Sequence, residues 1–260
     1  MPDDGSRDDR LTTVAVAALA CIVQDILHEA VGHGVTAWLS GARQLTLSTV
    51  ALQSDISTRW IAADGTLVNL ASAVIFWLLL RGGQRYRPAT RYFLVLTLAG
   101  SLFTGTGYFL YSGFSNFGDW AVVIQGWQPH WVWRLGLIAL GIVSYYASML
   151  VVAVELKPFR ERSHPRRMQG LCWIPYFADG VLAAIAGLLN PAGLVYVLLS
   201  ALPSTLGANA GLLALPSMLR RPPGEAGVPA IRRSIGWIAA GAVASLLFVV
   251  LIGRGLTWSR

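Results

Sequence analysis

His28, Glu29 and His33 stand within one apolar stretch, running from about Leu11 to Leu39, that is long enough to cross a bilayer at roughly 20 residues per span. Ionisable side chains inside a spanning helix are costly and tend to be kept for chemistry. Two imidazoles beside a carboxylate are the residue types of a hydrolytic zinc centre: two nitrogen ligands for the ion and a general base for a metal-bound water. The spacing is irregular. In His-Glu-x-x-His the histidines are four apart and share a helix face, whereas here they are five apart, roughly 140° round an ideal helix. One ion can hold both only if the turn absorbs an extra residue as a π-bulge, and Gly32 makes that distortion cheaper.

The elements that position this trio are membrane spans. The chain has 260 residues, 55% hydrophobic and 13% charged, with a mean hydropathy of +0.56, too apolar for an ordinary soluble domain. Further apolar runs lie at about Trp60 to Leu80, Tyr92 to Tyr111, Trp131 to Val154, Leu171 to Leu189, Ala192 to Met218 and Ile235 to Ile252. The fold class expected is an all-α polytopic membrane protein of about seven transmembrane helices, with six possible if the run broken by Pro203 is re-entrant. The whole chain reads as one membrane domain. Its net charge of +7 comes from Arg and Lys in the loops between spans two and three, four and five, and six and seven, which is a topology signal rather than a nucleic-acid surface. Those loops are expected on the cytoplasmic side of the plasma membrane, with the N-terminus cytoplasmic and the C-terminus outside. Met1 to Arg10 reads as a tail rather than a removed signal peptide. Cys21 and Cys172 fall in separate spans, so no disulfide framework is expected.

Beyond the first helix, Gly41 to Val50 partly alternates polar and apolar and favours strand. Gly65-Thr66-Leu67-Val68-Asn69 then opens span two, and Phe114-Ser115-Asn116-Phe117-Gly118-Asp119-Trp120 closes span three. In this order the features resemble the site-2-protease family of intramembrane zinc metalloproteases. That family has a metal-motif helix, a short β segment, a Gly-Pro-x-x-Asn element and an Asp ligand near an Asp-Gly on its third helix. The longer histidine spacing resembles the zinc motif of dipeptidyl peptidase III, a soluble metallopeptidase of unrelated fold. Thr66 stands where the site-2-protease pattern usually has Pro, and Gly118-Asp119 reverses its Asp-Gly. The resemblance gives residues 11–125 as a metalloprotease-like core and 126–260 as additional helices. Many bacterial members of that family carry the motif toward the cytoplasm, whereas the charge pattern here puts it near the outer face.

Two histidines need a further protein ligand. Asp119, at the outer end of span three, matches the depth of His28 and His33 and the place where the resemblance implies a carboxylate. Asp179, in an Asp-Gly pair about nine residues into span five, is the runner-up. Glu155 falls at the cytoplasmic edge, and His130 sits among Trp127, Trp131 and Trp133 in an interfacial belt. The reading is then zinc on His28, His33 and Asp119, with Glu29 as base. Asn69 binds substrate or the developing oxyanion, or simply packs, and Asp25 holds the His28 tautomer from one turn away. The substrate implied is a membrane-embedded or membrane-proximal protein, whose unwound segment pairs with the β segment Gln44 to Val50. The alternative is a non-proteolytic protein on the same scaffold: a pseudoprotease with a regulatory binding role, or a small-molecule transporter with Ser204, Thr205 and Asn209 as its polar path.

Overall fold

The computed structural model describes residues 8–49, 51–82, 85–160, 166–190, 203–219 and 230–259. Six helices among them are long and apolar enough to cross a membrane, and the chain is an integral membrane protein. They are α1 (Arg10–Leu39), α2 (Arg59–Arg81), α3 (Pro88–Ser115), α5 (His130–Phe159), α6 (Arg167–Leu188) and α8 (Ile235–Ile252). Shorter elements are α4 (Asp119–Val123), α7 (Gly211–Met218) and three strands, β1 (Gln44–Leu47), β2 (Leu52–Ser54) and β3 (Leu256–Ser259). The strand expected over Gly41 to Val50 is therefore shorter, and is joined by two more in an antiparallel sheet of order β2-β1-β3.

Local chemistry sets the helix starts. Asp9 caps α1 by accepting the Thr12 N–H at 2.8 Å, Thr58 caps α2 through the Ile61 N–H, and Pro88 opens α3, where its missing N–H costs nothing. The α2 start at Arg59 places Gly65 inside the helix rather than at its opening. Helix α3 is the hub. It contributes Tyr92, Val95, Leu98 and Phe103 to the core and packs on α1, α2 and α5. By contrast α5 and α8 present Leu140, Ile142, Val143, Val243 and Leu246 outward, as a bilayer-facing surface requires, since lipid replaces water as their solvent.

The two ends of the bundle differ. At one end Arg167 forks onto Asp8 at 2.8 and 2.9 Å, Asp8 also accepts the Ile231 N–H at 2.8 Å, and Arg81 bonds Glu155 at 2.9 Å. The described arginines of the three basic loops gather there. The sheet and the Gly113 to His130 connection lie at the other end, as the charge pattern predicts for one common side. Both α6 and α8 run from the basic end to the sheet end, where Ala186 approaches Gly253. The chain between Leu188 and Ile235 returns between these ends, and the described residues hold six spanning helices, the lower of the two counts expected. Of that return, 191–202 and the loop 220–229 lie outside the described residues. The part described is a π turn (Pro203–Gly207), a 3-10 turn (Ala208–Ala210) and α7: a broken helix, as Pro203 predicts.

Candidate metal centre

The five-residue histidine spacing is accommodated as the sequence requires. Residues Leu27–Gly34 form a π-helical stretch within α1, with the Val35 N–H reaching back five residues to the Ala30 carbonyl. In a π turn, residues five apart lie one above the other. His28 and His33 therefore face the same way, with their Nε2 atoms 3.2 Å apart. Gly32 does more than ease the turn. A Cβ on it would meet the Gly65 Cα at 2.5 Å, and a Cβ on Gly65 would meet His33 Nε2 at 2.5 Å and His28 Cε1 at 2.8 Å. Two glycines thus let α1 and α2 touch and leave the space that the imidazoles occupy.

Asp119 completes the group. Asn116 in the left-handed region (φ 56°) and Gly118 (φ 86°) turn the chain back after α3, and α4 starts at Asp119. The Trp120 indole donates to Thr66 Oγ1 at 3.0 Å, fixing the neighbouring carboxylate against α2. Asp119 Oδ2 then lies 3.4 Å from both His28 Nε2 and His33 Nε2, and it has no hydrogen-bond partner of its own. Burial acts to raise the Asp119 carboxyl pKa, but His33 and His28 outweigh it and hold it below the ordinary carboxylate range.

This donor set fits a metal ion. Tetrahedral zinc with bonds of about 2.0–2.1 Å separates its ligand atoms by about 3.3–3.4 Å, against 3.2, 3.4 and 3.4 Å here. The tautomers can be set for it as well. His33 Nδ1 donates to the Ile61 carbonyl at 2.6 Å, which leaves Nε2 as a lone pair. The amide nitrogen of Asn69, fully buried, lies 3.1 Å from His28 Nδ1, and exchanging the nitrogen and oxygen of that amide is a half-turn of its terminal group. With Nδ1 protonated for metal binding, the Asn69 amide oxygen belongs on that nitrogen, which would satisfy an oxygen that is otherwise buried without a partner. Tyr108 stacks on His28 with ring centroids 4.8 Å apart.

The other sequence candidates lie elsewhere. Asp179 is outside the group and lines a separate small pocket with Cys21 and Asn209; it is deeper in the bundle because its helix enters from the opposite end. Asp25 does not hold the His28 tautomer, since Asn69 occupies Nδ1, and one Asp25 oxygen is buried without a partner. Asn69 itself sits against His28 Nδ1 and is not among the residues lining the large cavity. Glu155 is paired with Arg81 and Arg91 at the basic end. His130 bonds Asn116 at 2.9 Å. Sequence reasoning missed the Ile61 carbonyl, which is backbone and carries no residue signal, and the role of Thr66, whose hydroxyl was itself the clue.

Glu29 is next to the first ligand, its Oε1 4.0 Å from His28 Nε2, and its Oε2 accepts the Leu52 N–H of β2 at 2.6 Å. Glu29, His33 and Asp119 share one wall of a cavity of about 1590 Å³ that is also lined by β2 and by the broken segment. That exceeds the roughly 300–1,000 Å³ of a small-molecule site. The substrate strand expected to pair with Gln44 to Val50 cannot do so on β1, because both β1 edges are already taken by β2 and β3. β2 lines the cavity, and its other edge carries no strand among the described residues. The chain matches no family model, no curated protein and no solved structure.

Proposed function

We propose that the protein is a zinc-dependent metallopeptidase that hydrolyses peptide bonds of protein substrates within or near the bilayer. The observation that carries this reading is the convergence of His28, His33 and Asp119 at tetrahedral ligand spacing, with Glu29 beside them, on a cavity larger than a small-molecule site. Bound zinc would supply a water acidified to a pKa of about 7 and a positive charge against the scissile carbonyl. His28, His33 and Asp119 would hold the ion, and Asn69 and the Ile61 carbonyl would keep both imidazoles in the binding tautomer. Glu29, adjacent to the first ligand and steadied by the Leu52 amide, would take a proton from the attacking water and deliver it to the leaving amine.

Substrate presentation follows from β2. Helical peptide bonds are shielded, so an unwound segment has to be held extended, and β2, which lines the same cavity as Glu29, would supply main-chain partners from Gln53 and Ser54 onward. The chain in lipid nanodiscs, loaded with zinc and given a library of single-span peptides, should cleave some of them. Glu29→Gln should lower cleavage by about 10²–10⁴-fold while keeping zinc. Cleavage unaffected by Glu29→Gln, or by zinc removal with chelator, contradicts the reading.

A further inference from the structure

A second polar cluster lies in the bilayer interior, apart from the metal centre. Cys21 and Gln24 of α1, Asp179 of α6 and Asn209 of the broken segment line an enclosed pocket of about 10 Å³, which is room for about one water-sized centre. Asp179 is 12 residues from the basic end of α6 at Arg167, about 18 Å at 1.5 Å per residue, and so near the bilayer midplane. Asp179 and Asn209 are 7% and 3% exposed. Each has an Oδ1 with no hydrogen-bond partner.

No Lys, Arg or His is among the described residues lining the pocket. An acid held there is either protonated or matched by a positive charge, because burying an unpaired carboxylate is far too costly. The unpartnered atoms are oxygens, which are hard ligands. Only one carboxylate reaches the pocket, so a monovalent ion leaves a neutral pair, whereas a divalent ion leaves a net charge in the hydrocarbon. The backbone points the same way. Pro203–Ala210 is π and 3-10 rather than α, and Tyr145 satisfies it by accepting the Gly211 N–H at 2.8 Å and donating to the Ala208 carbonyl. Broken helices at membrane depth are where transport proteins build alkali-ion sites. Gly207, Ala208 and Ala210 line the large cavity while Asn209 lines the small pocket, so this segment is the wall between them.

We infer that this pocket binds one alkali-metal cation between Asp179 and Asn209, tying α1 and α6 to the segment that walls the metal-centre cavity. The inference is independent of peptidase activity. It is tested on the purified full chain in detergent micelles, by thermal unfolding in sodium, potassium and choline chloride at equal ionic strength and by equilibrium uptake of radioactive sodium and rubidium. The expected result is one saturable ion per chain, with Tm raised in the preferred alkali salt over choline by about 5 °C or more at hundredfold saturation. The sodium and potassium arms identify the ion. Asp179→Asn should abolish uptake and the salt effect, and Asn209→Ala should weaken both at least tenfold, with zinc content unchanged in each. Wild-type protein that takes up neither ion and melts alike in all three salts would overturn the inference and leave a water beside a protonated Asp179. Uptake retained by Asp179→Asn would overturn it equally.

Discussion

Buried and half-buried carboxylates at the two ends of this bundle have opposite surroundings. At the basic end Glu155 lies between Arg81 and Arg91, and Asp8 is gripped by Arg167. At the sheet end Asp119 faces only two imidazoles, and one of its oxygens has no hydrogen-bond partner. A guanidinium neutralises a carboxylate and leaves it nothing further to do. An imidazole pair that presents lone pairs leaves room for a cation. The sheet-end carboxylate has no permanently charged partner among the described residues, which is the arrangement an open ligand set would need.

The comparison is sharpened most by Glu29→Gln. Removing a general base from a site that keeps its ligands should lower peptide cleavage by about 10²–10⁴-fold, with zinc per chain unchanged by elemental analysis. Next is Asn69→Ala, which frees His28 Nδ1 and should weaken zinc affinity by about 10–100-fold in a competitive chelator titration. At the other end Glu155→Gln should leave zinc affinity alone. It should cost about 1–2 kcal/mol of stability, a modest figure because Arg81 is half exposed and screened, read as a lowered Tm.

The smallest effect belongs to Asp9, outside the spans. Its carboxyl is held below its ordinary pKa by the Thr12 N–H, then by the Thr12 hydroxyl, against weak desolvation. A depressed folded-state pKa contributes stability above the unfolded value that is lost as pH falls through the folded one. Amide exchange over the first turn of α1 should therefore quicken only below about pH 4. Asp9→Ala should cost about 1 kcal/mol and remove that pH dependence.

Much of the site was legible because it is local. The five-residue histidine spacing demanded a π turn, and depth along the spans favoured Asp119 over Asp179. What could not be read depends on how closely helices approach. Gly32 against Gly65 brings α2 near enough for Asn69 and the Ile61 carbonyl to reach the imidazoles, so Asn69 became a ligand-positioning residue and Asp25 lost the role its helical spacing suggested. Nor does the segment around β1 reveal that β3, from the far end of the chain, takes its second edge; that pairing closes β1 to any further strand. The six spans described were legible in hydropathy. The 3-10 geometry after Pro203 was not, since it depends on Tyr145 from another helix.

The central claim is that His28, His33 and Asp119 form one metal site despite the stretched motif. Its most direct test is the zinc content of purified wild type beside His33→Ala and Asp119→Ala. The account predicts about one zinc per chain, lost in both variants. Wild type that binds no metal after exposure to zinc, or Asp119→Ala that keeps a full complement, would contradict it.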